Sequence, residues 1–185
     1  MECAKSRQTV ERGGQSTLTD ALTDAADYGY CASHTRLFYG FRLHAVFAPD
    51  GTPRALSLVS PKIGEREVAL KLFARVNRAG HLTAVGDKGY AGRQFEQDAA
   101  ALDVTIMRPR RKNEPGPRLH LAPIRQRIES IFWTAKDILT IERHGARTLH
   151  ALRTRLACRF VALAAAIALN HHLGRPSRAL AAYTA

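Results

Sequence analysis

Two carboxylates and two cations carry the chemistry that this sequence could do. Asp87 stands at the end of the apolar run in AVGDKGYAGRQF, residues 84–95, ahead of two glycines and a helical pattern. Glu129 lies in IRQRIESIFWTAKD, with Arg125 four positions before it and Lys136 seven positions after it. Carboxylates are hard oxygen ligands, so an acid at a strand end and an acid on a later helix can hold magnesium if they converge on one side of a sheet. Each group also has a plainer use. An aspartate before a glycine-rich turn commonly caps the next helix or closes an Asx turn, and an Arg–Glu pair at i,i+4 on a solvated helix contributes only about 0.2–0.5 kcal/mol.

The elements that must position these groups follow from hydrophobic periodicity. Apolar and aromatic runs on either side of Pro49-Asp50-Gly51 predict a hairpin with strands over 40–48 and 55–60. Val68, Leu72, Phe73 and Val76 recur at helical spacing in GEREVALKLFARVNRAG, with a glycine after the last turn. HLTAVGD then reads as a strand ending at Asp87, GRQFEQDAAALD as a second helix, and VTIMRP as a strand closed by Pro109. The order over this stretch is β-β-α-β-α-β. Two longer helices follow, LAPIRQRIESIFWTAKDILTI and RTLHALRTRLACRFVALAAAIALNHHL. Between strand and helix, RPRRKNEPGPRLH packs five cations with three prolines and a glycine, which predicts a mobile basic loop. Residues 1–37 are polar and weakly patterned, and no element is expected there.

On the first long helix, at 100° per residue, Ile124, Ile128, Ile131, Ala135 and Ile138 form a stripe about 80° wide that should pack on the core. Arg125, Glu129 and Lys136 form a second stripe about 40° wide, centred roughly 120° from the first. One carboxylate is thus flanked by two cations on the border of the core. Trp133, the only tryptophan, is expected to pack against the C-terminal helix, with base stacking as its other use. His171 and His172 diverge by about 100° on a helix, so they read as a helix-end feature and not as a metal clip.

The chain of 185 residues holds 28 Lys and Arg against 16 Asp and Glu, a formal charge of +12 that points to polyanionic partners, nucleic acid first. From Arg143 onward there are seven arginines and no acid, so this region is a basic face whose arginines track phosphates or keep an Ala/Leu-rich helix soluble. With that balance the basic loop at 108–118 is as well suited to lie along DNA as to sit in solvent. Cys3, Cys31 and Cys158 give neither a disulfide framework nor a CxxC clip. The longest apolar run, Phe160 to Leu169, is about half of the roughly 20 residues that a spanning helix needs, and MECAKSRQTVERGG lacks the apolar stretch of a secretory signal. A cytoplasmic product is expected, nucleoid-associated when bound to DNA, with no membrane partner.

Several blocks in one order resemble the DDE-type transposases of bacterial insertion sequences. DKGYAGRQF resembles the block around the second catalytic acid, which falls on Asp87. IRQRIESIFWTAKD is similar to the signature Tyr-(2)-Arg-(3)-Glu-(6)-Lys, with Arg125, Glu129 and Lys136 at the matching positions and Ala122 in place of the tyrosine. YGFRLHAVFAPDGTP, SPKIGEREV and IERHGARTL resemble further blocks of the subgroup with a short interval between second and third acids, here 42 positions. The resemblance covers about Tyr28 to Tyr183. It implies an α/β, ribonuclease-H-like mixed sheet flanked by helices, with residues 1–37 as a remnant, 38–142 as the catalytic core and 143–185 as a basic helical extension. It also implies that Asp87 and Glu129 are catalytic metal ligands for Mg2+ or Mn2+ and that Arg125 and Lys136 contact DNA. The implied activity is cleavage and transfer of DNA strands, with transposon ends and target DNA as partners and a homo-oligomer or a mixed oligomer with full-length transposase as the assembly.

The first acid of such a site lies on the first strand, in a stretch similar to Asp-Ser-Thr-Pro-Val-Glu-Cys, whereas this sequence begins Met1-Glu2-Cys3. Met1 stands where the relatives have valine, and GTG encodes valine internally but methionine at a start. A 5′-truncated or wrongly started reading frame is therefore expected, with the first strand missing or degenerate and the polypeptide inactive alone. Asp20, Asp24 and Asp27 are the nearby substitutes, in a stretch with little strand character. The alternative reading is a non-enzymatic DNA-binding fragment that interferes with full-length transposase.

Overall fold

The computed structural model describes residues 22, 25–31, 35–76, 80–115 and 120–183, without the side chains of residues 36, 125 and 182. The elements are β1 (Asp27–Cys31), β2 (Arg36–Gly40), β3 (Arg42–Phe47), β4 (Pro53–Val59), α1 (Glu65–Val76), β5 (Leu82–Val85), α2 (Arg93–Ala101), β6 (Val104–Met107), α3 (Ala122–Asp137) and α4 (Leu149–His172). From β3 onward these are the elements and the order that periodicity predicts. Among the described residues the strands form three two-stranded sheets: antiparallel β1–β2, antiparallel β3–β4, and β5–β6, which is parallel with α2 as its crossover.

The β1–β2 hairpin is a correction to the expectation of no element before residue 38. Its strands are short and half polar, so the alternation is carried by few residues. Cross-strand pairing of Tyr28 with Tyr39, ring centroids 4.8 Å apart, supplies contact that a single-strand reading does not weigh. The predicted β3–β4 hairpin turns where expected. The Asp50 carboxylate accepts the Thr52 N–H and the Thr52 hydroxyl, each at 2.9 Å, and Gly51 takes a φ of +97° that a side chain would resist.

Two apolar clusters lie on opposite faces of this hairpin. Leu43 and Leu58 join the stripe Leu152, Leu156, Phe160, Leu163 and Ile167 of α4 and Ile131 and Ala135 of α3. Phe47 packs edge-on to Phe132 of α3 at 5.7 Å and tilted to Phe160 of α4 at 6.1 Å. On the other face Val46 meets a cluster of Ala69 and Phe73 from α1, Phe95 and Ala99 from α2, and Val104 from β6. Each large apolar side chain buried this way contributes about 1.5–3 kcal/mol. Of the stripe predicted for α3, Ile131 and Ala135 are fully buried, while Ile124, Ile128 and Ile138 are half-buried at its margin.

The turn after β5 is held from outside. Arg66, in the first turn of α1, donates from Nε and Nη2 to the Gly89 carbonyl at 3.0 and 2.9 Å. The Tyr90 ring closes over Gly86, where an added Cβ would come within 2.8 Å of it, so the ring lies flat only against a glycine. The backbone between Gly86 and Gly92 is thereby fixed between α1 and a half-buried ring.

The basic stretch after β6 is less free than its composition suggests. Arg108 donates from Nε and Nη2 to Glu96 of α2, at 3.0 and 2.8 Å, and from Nη1 to Glu114 at 2.7 Å. The Arg111 N–H adds a bond to the same Glu114 carboxylate at 3.0 Å. The expectation of a mobile loop therefore fails over 108–114, because one internal glutamate and one from α2 neutralise its first arginine and close a turn. Residues 116–119 of that loop, which include Arg118, lie outside the described residues.

Two outcomes follow. Arg66→Ala should accelerate amide exchange at Gly89, Tyr90 and Ala91 roughly fivefold, the equivalent of about 1 kcal/mol for an exposed charge-assisted bond; unchanged exchange would show that the turn holds itself. The Arg108 guanidinium holds the Glu114 carboxyl down to about 2, against an ordinary value of 4.5. Because the folded value is depressed, the closure is fully present above pH 4.5 and is lost only as pH falls through about 2. Carboxyl NMR should show Glu114 still ionised at pH 3.5, and in Arg108→Ala titrating with the exposed acids.

Candidate functional site

Asp87 follows directly on β5, whose pairing with β6 extends one residue further as the Gly86 N–H donates to the Met107 carbonyl at 2.9 Å. Its backbone is extended, and its Oδ1 accepts the Gly89 N–H at 2.8 Å, capping the 3-10 turn Lys88–Tyr90. The capping role anticipated for this residue is therefore present. It occupies one oxygen only: the side chain is exposed, and Oδ2 has no hydrogen-bond or ion-pair partner among the described residues. Gly89 is needed here, since a Cβ would lie 2.9 Å from Oδ1.

Behind this turn lies a group that the sequence did not single out. Arg42 of β3, with its side chain largely buried, pairs with Glu65 at the start of α1 at 3.1 Å. Tyr90 sits in their field; burial first, then the Glu65 and Asp87 carboxylates, push its hydroxyl well above its ordinary value, so it stays a neutral donor. His44, one pleat from Arg42, is buried, with Nε2 unpartnered among the described residues. Burial and the Arg42 charge push it down to about 4, and the imidazole is neutral near pH 7. Arg42 and Arg66 gave no sequence signal beyond lying in a strand and a helix, because what they hold is distant in the chain.

Glu129 lies midway along α3 with its side chain exposed. Arg125 is on the same helix one turn earlier, and its side chain falls outside the described residues. Lys136 is half-buried near the end of α3, with Nζ 3.5 Å from the Glu142 carboxylate. Trp133 is 62% exposed, which corrects the expectation that it packs on α4: its neighbour Phe132 takes the inward position against Phe47. The indole falls about 40° round the helix from Glu129.

Of the substitutes for a first acid, Asp20 and Asp24 lie outside the described residues. Asp27 opens β1, where its Oδ1 accepts the Tyr28 N–H at 2.8 Å and its Oδ2 pairs with Lys62 at 2.9 Å; the Lys62 ammonium holds its carboxyl below the usual range. Among the described residues no three His, Cys, Asp or Glu side chains are grouped so as to hold a metal ion. His171 and His172 end α4 as expected, with His171 Nε2 2.8 Å from the Ser177 hydroxyl.

The link between α3 and α4 is built by arginines. Arg155 Nη1 donates to the His144 carbonyl, and Arg159 Nη2 to the Arg143 carbonyl at 3.5 Å. Arg143 and Arg147, on the same link, are exposed.

No helix among the described residues is long and apolar enough to cross a membrane. A search of curated proteins finds no match to the chain. The sequence profile of the transposase DDE domain, in contrast, matches residues 7–165, a span that takes in all three strand pairs, Asp87, and the Arg125, Glu129 and Lys136 series. With well over half of its length matched in this way, the chain belongs to the transposase DDE domain family.

Proposed function

We propose that the chain is the strand-cleaving and strand-transferring part of a DNA transposase, in which Asp87 and Glu129 are two of three carboxylates that hold Mg2+ or Mn2+ in a ribonuclease-H-like arrangement. The observation that carries this is the half-used carboxylate of Asp87: one oxygen fixes the side chain on a braced turn and the other faces solvent at a strand end. The donors fit such ions, being exposed carboxylates with hard oxygens. When bound, the ions would supply charge neutralisation at a DNA phosphodiester and a more acidic attacking hydroxyl.

On this reading Asp87 and Glu129 ligate and move no proton. Arg125 and Lys136, on the Glu129 face of α3, neutralise neighbouring phosphates and so position DNA without reading its bases. On the same reading the third acid is not Asp27, whose carboxylate is paired with Lys62. That engagement favours a second reading for the polypeptide by itself, which binds DNA without cutting it.

The test is Mg2+- or Mn2+-dependent nicking and strand transfer on DNA carrying the element's ends, comparing this chain with a version extended upstream through an acid-bearing strand. Activity is expected only in the extended form, with Asp87→Ala and Glu129→Gln each lowering it at least about a hundredfold while DNA binding persists. Full activity in Asp87→Ala would remove Asp87 from the ligand set, and full activity in the short form would place the third acid within these 185 residues.

A further inference from the structure

We propose that the link Arg143–Arg147, braced by the first three turns of α4, is a binding platform for the phosphodiester backbone of duplex DNA, separate from the Asp87 and Glu129 acids. This rests on DNA being the partner but not on any role for the acids.

A loop in a charged protein is ordinarily shaped by its own turn residues and by carboxylates that pair with its cations. Here two guanidinium groups do the shaping. Arg155 donates to the His144 carbonyl and Arg159 to the Arg143 carbonyl, so the backbone of the link is drawn onto the side of α4. Gly145 turns the chain at a φ of +59°, and a Cβ there would come within 2.9 Å of Arg155 Nη1, so the guanidinium lies directly on the glycine. His144 Nδ1 accepts the Ala146 N–H at 3.0 Å, and Thr148 caps α4 by accepting the Ala151 N–H at 3.1 Å. The link is a built structure, and what it presents to solvent is Arg143 and Arg147, with Arg153 on the adjoining turn of α4.

Its electrostatics are one-sided. No acid occurs from Arg143 to the last residue of the sequence. The charges that bear on His144 are Arg159 and Arg155, both cations, which together with burial keep the imidazole below its usual value. Arg159 Nη1 is buried with no hydrogen-bond partner among the described residues. The acid immediately before the link, Glu142, is directed to Lys136 at 3.5 Å. Bringing guanidinium groups together without a counter-charge is unfavourable, and a polyanion laid across the exposed ones offsets it. Arginine suits that partner because its planar fork matches phosphate oxygens. The Lys136–Glu142 contact also seats the start of the link beside the end of α3, about 10 Å along the helix from Glu129. A duplex held on the platform therefore passes alongside α3.

The experiment uses the full chain and a short duplex of arbitrary sequence, read by fluorescence anisotropy across a salt series. The double variant Arg143→Gln/Arg147→Gln, which alters only exposed side chains, should weaken binding at least about tenfold and reduce the slope of log K against log salt by about two. Arg54→Gln, which removes an exposed cation on β4, should leave affinity within about twofold of the parent chain. Arg155→Gln should weaken binding through loss of the brace, and Arg155→Lys should restore part of it; the double variant decides the matter if Arg155→Gln fails to fold. An unchanged slope in the double variant, or an equal loss in Arg54→Gln, overturns the platform while leaving DNA as the partner. A parent chain that does not bind DNA overturns both, and leaves the acids to be judged by nicking in the extended form.

Discussion

The β3–β4 hairpin has to be covered on both faces, and the rest of the molecule is arranged to do so. Alternation along β3 sends Leu43 toward α3 and α4 and Val46 toward α1, α2 and β6, so a single strand belongs to two apolar clusters. Phe47 closes the end of the strand against Phe132 and Phe160. No backbone ladder among the described residues joins one strand pair to another. The helices, by burying side chains of the hairpin, perform the joining that a continuous sheet would otherwise supply. Asp87 and Glu129 inherit their positions from this division: the acid after β5 belongs to one cluster and α3 to the other.

The basic character of the chain has an architectural side that composition alone conceals. Arg42 ties β3 to α1, Arg66 pins the turn after Asp87, and Arg108 gathers Glu96 and Glu114. Arg127 donates to the Pro49 carbonyl at 2.7 Å and Arg178 to the Ser130 hydroxyl at 2.9 Å, so α3 holds the β3–β4 turn and the C-terminal segment is tied to α3. Several of these bonds end on backbone carbonyls, where guanidinium is well suited, since one planar group satisfies acceptors that no nearby donor of the main chain can reach. The formal charge of +12 therefore overstates the number of cations free to meet a polyanion, and the exposed arginines between α3 and α4 stand out for that reason.

Most of the element order was legible because it is written in periodicity. The apolar spacing of α1, the long stripe of α4 and the turn residues Pro49-Asp50-Gly51 each carry local information. The cap at Asp87 was legible for the same reason, since the Asx turn needs only the following glycine. What could not be read were interactions between residues far apart in sequence. The β1–β2 hairpin depends on cross-strand tyrosines, the closure at 108–114 on Glu96 of α2, and the inward and outward choice between Phe132 and Trp133 on where Phe47 arrives. The Arg125-Glu129-Lys136 spacing marked a helix face, but the link beside it, with Arg155 and Arg159 bonded to carbonyls 11 and 16 positions earlier, left no trace in spacing.

Strand pairs that share no ladder among the described residues do not fail together under stress. The β5–β6 pair is short, four residues a side, and is held to the rest through the cluster beneath α1 and α2. A unit of that size opens as a piece, with little backbone hydrogen bonding to transmit the disturbance to β3–β4. On warming, the turn that carries Asp87 should therefore open before the α3–α4 core melts. Opening of this turn and global unfolding are then separate transitions, and the melting temperature of the core overstates the temperature range over which the acid at the end of β5 stays in place.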